Sequence, residues 1–246
     1  RSDLVTPEEE ALIKRAFYSD DFARSYLSVD EADSSIMTLV DHLEKYNFYL
    51  LKFVSNSRHL EQRLPPKIRH PDFIDVQNSP STTSVLGLDW HVEKDALQFS
   101  IAAEDTNITT KRELLSTVAS IFDPLGLITF AIAPAKLLVQ QCFREGLAWD
   151  EDLPDHIVGE INAWKAKLST LDNLVFPRRI SDLLSSPLEH HLHTFADGSQ
   201  SIFAANAFVQ TIGPDGSITV RLLAAKTRLA PLKSLTVPRM ELCACL

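Results

Sequence analysis

The chain has 246 residues, 45% of them hydrophobic and only 7 of them glycine, so it can bury a sizeable core and is not dominated by disorder. No run reaches the roughly 20 apolar residues of a membrane span, and the polar, acidic start RSDLVTPEEE is not a signal peptide. A net charge of -9 argues against bulk nucleic-acid binding, and an odd set of 3 cysteines fits a reducing, intracellular compartment.

In chain order, Thr6-Pro7 followed by Glu8, Glu9 and Glu10 marks the start of a short helix, with a hydroxyl cap, an early proline and acids at the positive end. AFYS then reads as a strand and FARSYL as its return, leaving Asp20 and Asp21 at the turn. Ser28 and Glu31 match a capping box ahead of Ala32, Ile36, Leu39, Val40 and Leu43, which predicts a helix from about Val29 to Lys45. FYLLKFV has strand composition, and SVLGLDWHV with ALQFSI reads as a hairpin turning at Glu93-Lys94-Asp95.

From about residue 105 the pattern becomes helical. Thr110 and Glu113 repeat the capping box, Asp123-Pro124-Leu125-Gly126 ends that helix, and further helices are expected from Pro134 to Glu145 and from Pro154 to Leu171. HHLHTFAD, IFAANAFVQT and ITVRLLAAKTRL then read as strands, with a turn at Gly213-Pro214-Asp215-Gly216, and Pro238 opens a helix carrying Glu241. Trp90, Trp149 and Trp164 read as packing residues.

Adjacent aspartates repel and raise each other's pKa unless a cation lies beside them, and magnesium needs only one or two protein carboxylates when substrate phosphates complete its shell. On spacing alone the Asp20-Asp21 pair reads first as a plain structural turn. Lys52, Arg58, Arg63, Lys67 and Arg69 face one acid, Glu61, and Arg221, Lys226, Arg228, Lys233 and Arg239 face none; each run is either a solvated face or a phosphate contact. His191 and His193 share a strand face that His190 opposes, which argues against all three ligating one metal from a single strand. Cys243 and Cys245 lack the partner pair of a zinc site.

FYSDD, the helix after it, LLKFVSNS and VLGLDW together resemble the palm of a reverse transcriptase. KRELLSTVASIFDPLGLI, AKLLVQQCFREGLAWDEDLP and AKTRLAPLKSLTVPRMEL resemble more specifically the polyprotein of BEL/Pao retrotransposons, also catalogued as the Pao retrotransposon peptidase (A17) family. HTFADGSQSIFAANAF is similar to the first two strands of a ribonuclease H-like domain, and PRMELCA to its first helix.

The resemblance implies an α+β chain. Residues 1–104 would form the C-terminal part of a palm, with antiparallel hairpins and a helix, and residues 105–172 a helical thumb- or connection-like segment. Residues 173–189 would be a linker, and residues 190–246 the start of a ribonuclease H-like α/β fold. It implies Asp20 and Asp21 as polymerase carboxylates and Asp197 and Glu241 as ribonuclease H carboxylates, all four binding Mg2+ or Mn2+. Lys52, Arg58, Lys226 and Arg228 would contact nucleic acid.

A third palm carboxylate on an earlier strand, and further acids later in the ribonuclease H-like domain, complete such sites. With no initial Met and an end at ELCACL, the chain reads as a segment of a longer polyprotein that is not competent by itself. The family commonly has Val where Ser19 stands. The implied partners are an RNA/DNA template-primer hybrid, deoxynucleotides and the rest of the polyprotein. A membrane is not among them, and the implied place is a cytoplasmic virus-like particle with access to the nucleus. An aspartic peptidase needs an Asp-Thr/Ser-Gly loop from each half; Asp197-Gly198-Ser199 has the wrong order. A decayed element that only binds nucleic acid is the other alternative.

Overall fold

The structure, a computed structural model, describes residues 7–18, 20–73, 82–85, 87–99, 101, 106–171, 174–181, 189–233 and 235–246. Thr6 and Ser19, both singled out in the sequence, lie outside the described residues. The chain forms two compact units, one of residues 1–86 and 91–94, the other of residues 87–90 and 95–246. No helix among the described residues is long and apolar enough to cross a membrane.

In the first unit, helix α1 (Pro7–Ala16) runs directly into β1 (Phe17–Tyr18), which pairs antiparallel with β2 (Asp21–Phe22). The expected hairpin is present but tighter than its composition suggests. Ala16 belongs to the helix, Asp21 opens the return strand, and only Phe22 of FARSYL follows it there. Helix α2 (Val29–Glu44) starts where expected: the Ser28 hydroxyl accepts the Glu31 amide, and the Glu31 carboxylate accepts the Leu27 amide. Its apolar stripe of Ala32, Ile36 and Val40 meets Leu60 of α3 (Arg58–Arg63), together with Leu64 and Ile68. Strand β3 (Thr82–Val85) also belongs to this unit.

FYLLKFV is not a strand. Lys52 adopts a left-handed backbone (φ 61°) that cannot continue a β-ladder, and Phe53 alone makes an isolated bridge, to Arg69. Strand composition without a neighbouring strand leaves this segment irregular.

The second unit opens on a small sheet in which β4 (Leu88–His91), β5 (Ala96–Gln98) and β6 (Val175–Pro177) are successive neighbours. Asp95, at the end of the β4–β5 turn, is buried and left-handed (φ 49°). Its carboxylate takes the Arg178 guanidinium at 2.6 and 2.9 Å and the Trp90 indole at 3.0 Å, which ties the turn to the chain after β6. Thus part of the stretch read as linker is a paired strand.

Helices α4 (Lys111–Ser120), α5 (Thr129–Arg144) and α6 (Asp155–Leu168) pack around Leu114, Val118, Leu138, Ile157, Ile161 and Trp164. Thr110 and Glu113 form the expected reciprocal cap of α4. Helix α5 begins five residues before Pro134, because the Asp123 carboxylate accepts the Leu127 and Ile128 amides just ahead of it (2.8 and 3.0 Å). Pro134 therefore sits inside the helix, and the Trp164 indole donates to the nearby Ala131 carbonyl at 2.8 Å.

Strands β7 (Glu189–Gly198), β8 (Ile202–Ile212) and β9 (Ile218–Leu229) form an antiparallel meander in that order, followed by α7 (Val237–Cys245). The helical segment is seated on this meander. Leu125 O accepts the Ala225 amide of β9 at 2.8 Å, and a Cβ on Gly126 (φ 73°) would collide with the Ala225 carbonyl. The buried Gln140 amide of α5 donates to Ala230 O at 2.7 Å, and Leu222 packs against the helical core.

Candidate metal and nucleic-acid site

Asp197 is the penultimate residue of β7, and Glu241 is the fifth of α7. They are 44 residues apart in sequence, and Gly198 brings them together. A Cβ on Gly198 would lie 2.5 Å from the Glu241 amide nitrogen and the Met240 carbonyl carbon, so the strand end lies directly against the helix backbone. Consecutive Cα atoms are about 3.8 Å apart, so the Asp197 Cα lies within about 8 Å of the Glu241 nitrogen. Met240 and Ala244 bury the inner side of α7, while Asp197 and Glu241 are both exposed.

Asp197 Oδ1 accepts the Gly198 amide at 2.8 Å, which fixes the carboxylate at the strand end. Ser199 closes the following turn, its hydroxyl accepting the Ile202 amide at 3.1 Å and donating to Ile202 O at 2.9 Å. Lys226 and Arg228 are exposed, share one face of β9 and make no ion pair among the described residues. Register carries Arg228 across Phe203 to Gly198, so its Cα stands two strand spacings, about 10 Å, from the strand end that holds Asp197, and its side chain shares the face of Gly198.

The fold therefore brings the backbones of two acidic residues together, with Lys226 and Arg228 on the face of the meander opposite to the Asp197 side chain. Oxygen donors of this kind suit a hard divalent ion, and two carboxylates suffice when phosphate oxygens supply further ligands. Among the described residues no group of three or more His, Cys, Asp or Glu side chains is placed to hold a metal by itself. An open groove of about 440 Å³ between α4, α5 and β9 contains neither Asp197 nor Glu241. Its Asp123 has a carboxyl pushed up by burial, against the opposing effect of the amides it accepts. The histidines of β7 are engaged separately: His190 with Thr211, His191 with Glu189 and His193 with Gln210.

A family model described as the Pao retrotransposon-like RNaseH-like domain matches residues 110–246, more than half of the chain. The chain belongs to this family. The match takes in the helical segment, the meander and α7, and it supports a Pao retrotransposon polyprotein segment. No curated protein matches the chain. For this Pao-family chain the residue that sequence reasoning missed is Gly198. Its signal was the Asp-Gly-Ser run, which reads as a turn but serves as the close approach of strand to helix.

In the first unit Asp20 occupies the turn, and Asp21 stands opposite Tyr18. Both aspartates are exposed, so water screens their repulsion. The hairpin is anchored from behind by aromatic contacts, Phe17 to Phe22 at 5.3 Å and Phe22 to Phe53 at 6.0 Å. Much of the basic run after Lys52 is engaged within its own unit. Arg58 pairs with Glu93, Arg63 with Asp30 and Lys67 with Glu44, and Arg69 donates to the Leu64 and Gln62 carbonyls. Glu61 is buried with its carboxyl raised by desolvation, and it accepts the Ser55 amide.

Proposed function

We propose that the chain works within a Pao retrotransposon polyprotein on nucleic acid, its second unit contributing Asp197 and Glu241 to a metal-dependent ribonuclease H-like site. The observation that carries this reading is the Gly198 contact, which sets the backbones of two exposed acidic residues from distant parts of the chain beside each other. Magnesium or manganese bound there would supply an activated water for hydrolysis of the RNA strand of a hybrid. Asp197 and Glu241 hold the cation, and Lys226 and Arg228 attract the phosphate backbone to the same end of the meander. In the first unit, Asp20 and Asp21 serve RNA-directed DNA synthesis as carboxylates of a palm-like hairpin. Further acids from the polyprotein complete both sites.

Two measurements test this reading. Mn2+ binding by the whole chain, followed by water-proton relaxation, should weaken in Asp197→Asn and in Glu241→Gln; unchanged binding in both refutes the carboxylate pair. In the intact polyprotein, magnesium-dependent primer extension should disappear with Asp20→Asn, and persistence of extension refutes the polymerase role of the hairpin.

A further inference from the structure

The segment leaving α2 presents an arrangement that neither metal site uses. It passes through Asn47 and ends at Lys52, both left-handed (φ 63° and 61°), an unusual backbone for residues other than glycine. Between them Phe48, Tyr49 and Leu51 are 67%, 62% and 58% exposed, a run of outward apolar side chains that a folded surface seldom carries without a partner. The run is nevertheless held at both ends. Tyr46 packs its ring on His42 at 5.4 Å and Leu50 turns into the core. Phe53 is fixed by hydrogen bonds with Ile68 O (2.8 Å) and the His70 amide (3.0 Å).

Phe53 also packs its ring at a tilt against Phe22, the residue after Asp21, so the exposed run ends beside the aspartate hairpin. Exposed lysines stand at its two ends, Lys45 and Lys52, and Glu44 is already paired with Lys67 at 2.9 Å, leaving Asp41 as the other acid near that pair. Outward aromatic faces with cations at both ends match the chemistry of a single nucleic-acid strand, whose bases stack and whose phosphates seek ammonium groups.

We infer that residues 45–52 form a stacking platform for a single nucleic-acid strand, with bases on Phe48 and Tyr49, phosphates on Lys45 and Lys52, and the strand end directed to the Asp20-Asp21 hairpin. The inference rests on the proposed nucleic-acid function for its class of ligand but not on polymerase chemistry.

It is tested by fluorescence anisotropy of the whole chain with a labelled oligothymidylate and with a blunt duplex, in EDTA. Phe48→Ala with Tyr49→Ala should weaken oligothymidylate binding about five- to a hundredfold for each stacked base lost, and duplex binding far less. Lys52→Gln should lower the log-log salt slope by about 0.7. Phe48→Trp, which keeps an aromatic face, should retain binding and show indole quenching by the strand. Binding measured in EDTA does not depend on magnesium-dependent primer extension, so failure of the polymerase reading leaves this result untouched. Unchanged oligothymidylate affinity in a double alanine variant with parental circular dichroism and melting overturns the platform. A double variant that loses only self-association or capture of another polyprotein segment overturns it equally.

Discussion

Replacing Gly198 by alanine tests the contact on which the carboxylate pair depends. The new methyl would stand 2.5 Å from two backbone atoms of α7 and 2.7 Å from the Met240 carbonyl oxygen. Ordinary contacts begin near 3.5 Å, so strand and helix would have to separate by about 1 Å. Backbone cannot swing aside as a side chain does, and the shift would lift Met240, which is fully buried, out of its seat. Overpacking of this kind costs about 1–3 kcal/mol. Urea unfolding should show the loss as a lower midpoint at unchanged slope. Mn2+ relaxation should show weaker binding even though neither carboxylate has been altered. A Gly198→Ala protein with parental stability and parental Mn2+ affinity would refute the argument that this glycine joins the two acids.

Gly159 supplies the opposite case. It lies inside α6 with nothing within 4 Å of an added Cβ, so Gly159→Ala should raise stability by about 0.5–1 kcal/mol, measured by the same urea unfolding. Thr110→Ala removes half of the α4 capping box and should cost about 1 kcal/mol. Glu113 has a carboxyl held below its usual 4.5, first by the Thr109 amide, then by the Thr109 hydroxyl and by Thr110. Its contribution is therefore complete above pH 4.5 and is lost as pH falls through the depressed folded-state value. The stability gap between the parent and Glu113→Gln should accordingly narrow from pH 7 to pH 3, and a constant gap would exclude the charged cap as its source.

Local signals made much of this fold legible. Capping boxes announced α2 and α4, and long runs of β-branched and aromatic residues between turn residues announced β7, β8 and β9. The misreadings arose where a distant or unusual partner decides. Pro134 looked like a helix start because the Asp123 side chain that begins α5 earlier is not recognisable from helix periodicity. FYLLKFV looked like a strand because a left-handed Lys52 leaves no mark on composition. Asp95 looked like a turn residue, and the arginine that claims it lies 83 residues further on. At the site, motif likeness named Asp197 and Glu241 singly, but their proximity depends on a meander closing back on itself, which spacing cannot measure.

The seat of Gly126 on Ala225 also bears on how the chain is made. The loop before α5 leaves the ribosome about 100 residues ahead of the strand that receives it, a delay of roughly 5–20 s at ordinary elongation rates. During that interval α4, α5 and α6 exist without β9, and the apolar surface that Leu222 will cover faces solvent. The second unit is thus completed from its C-terminal side, and its helices wait for the meander in a state that chaperones can bind.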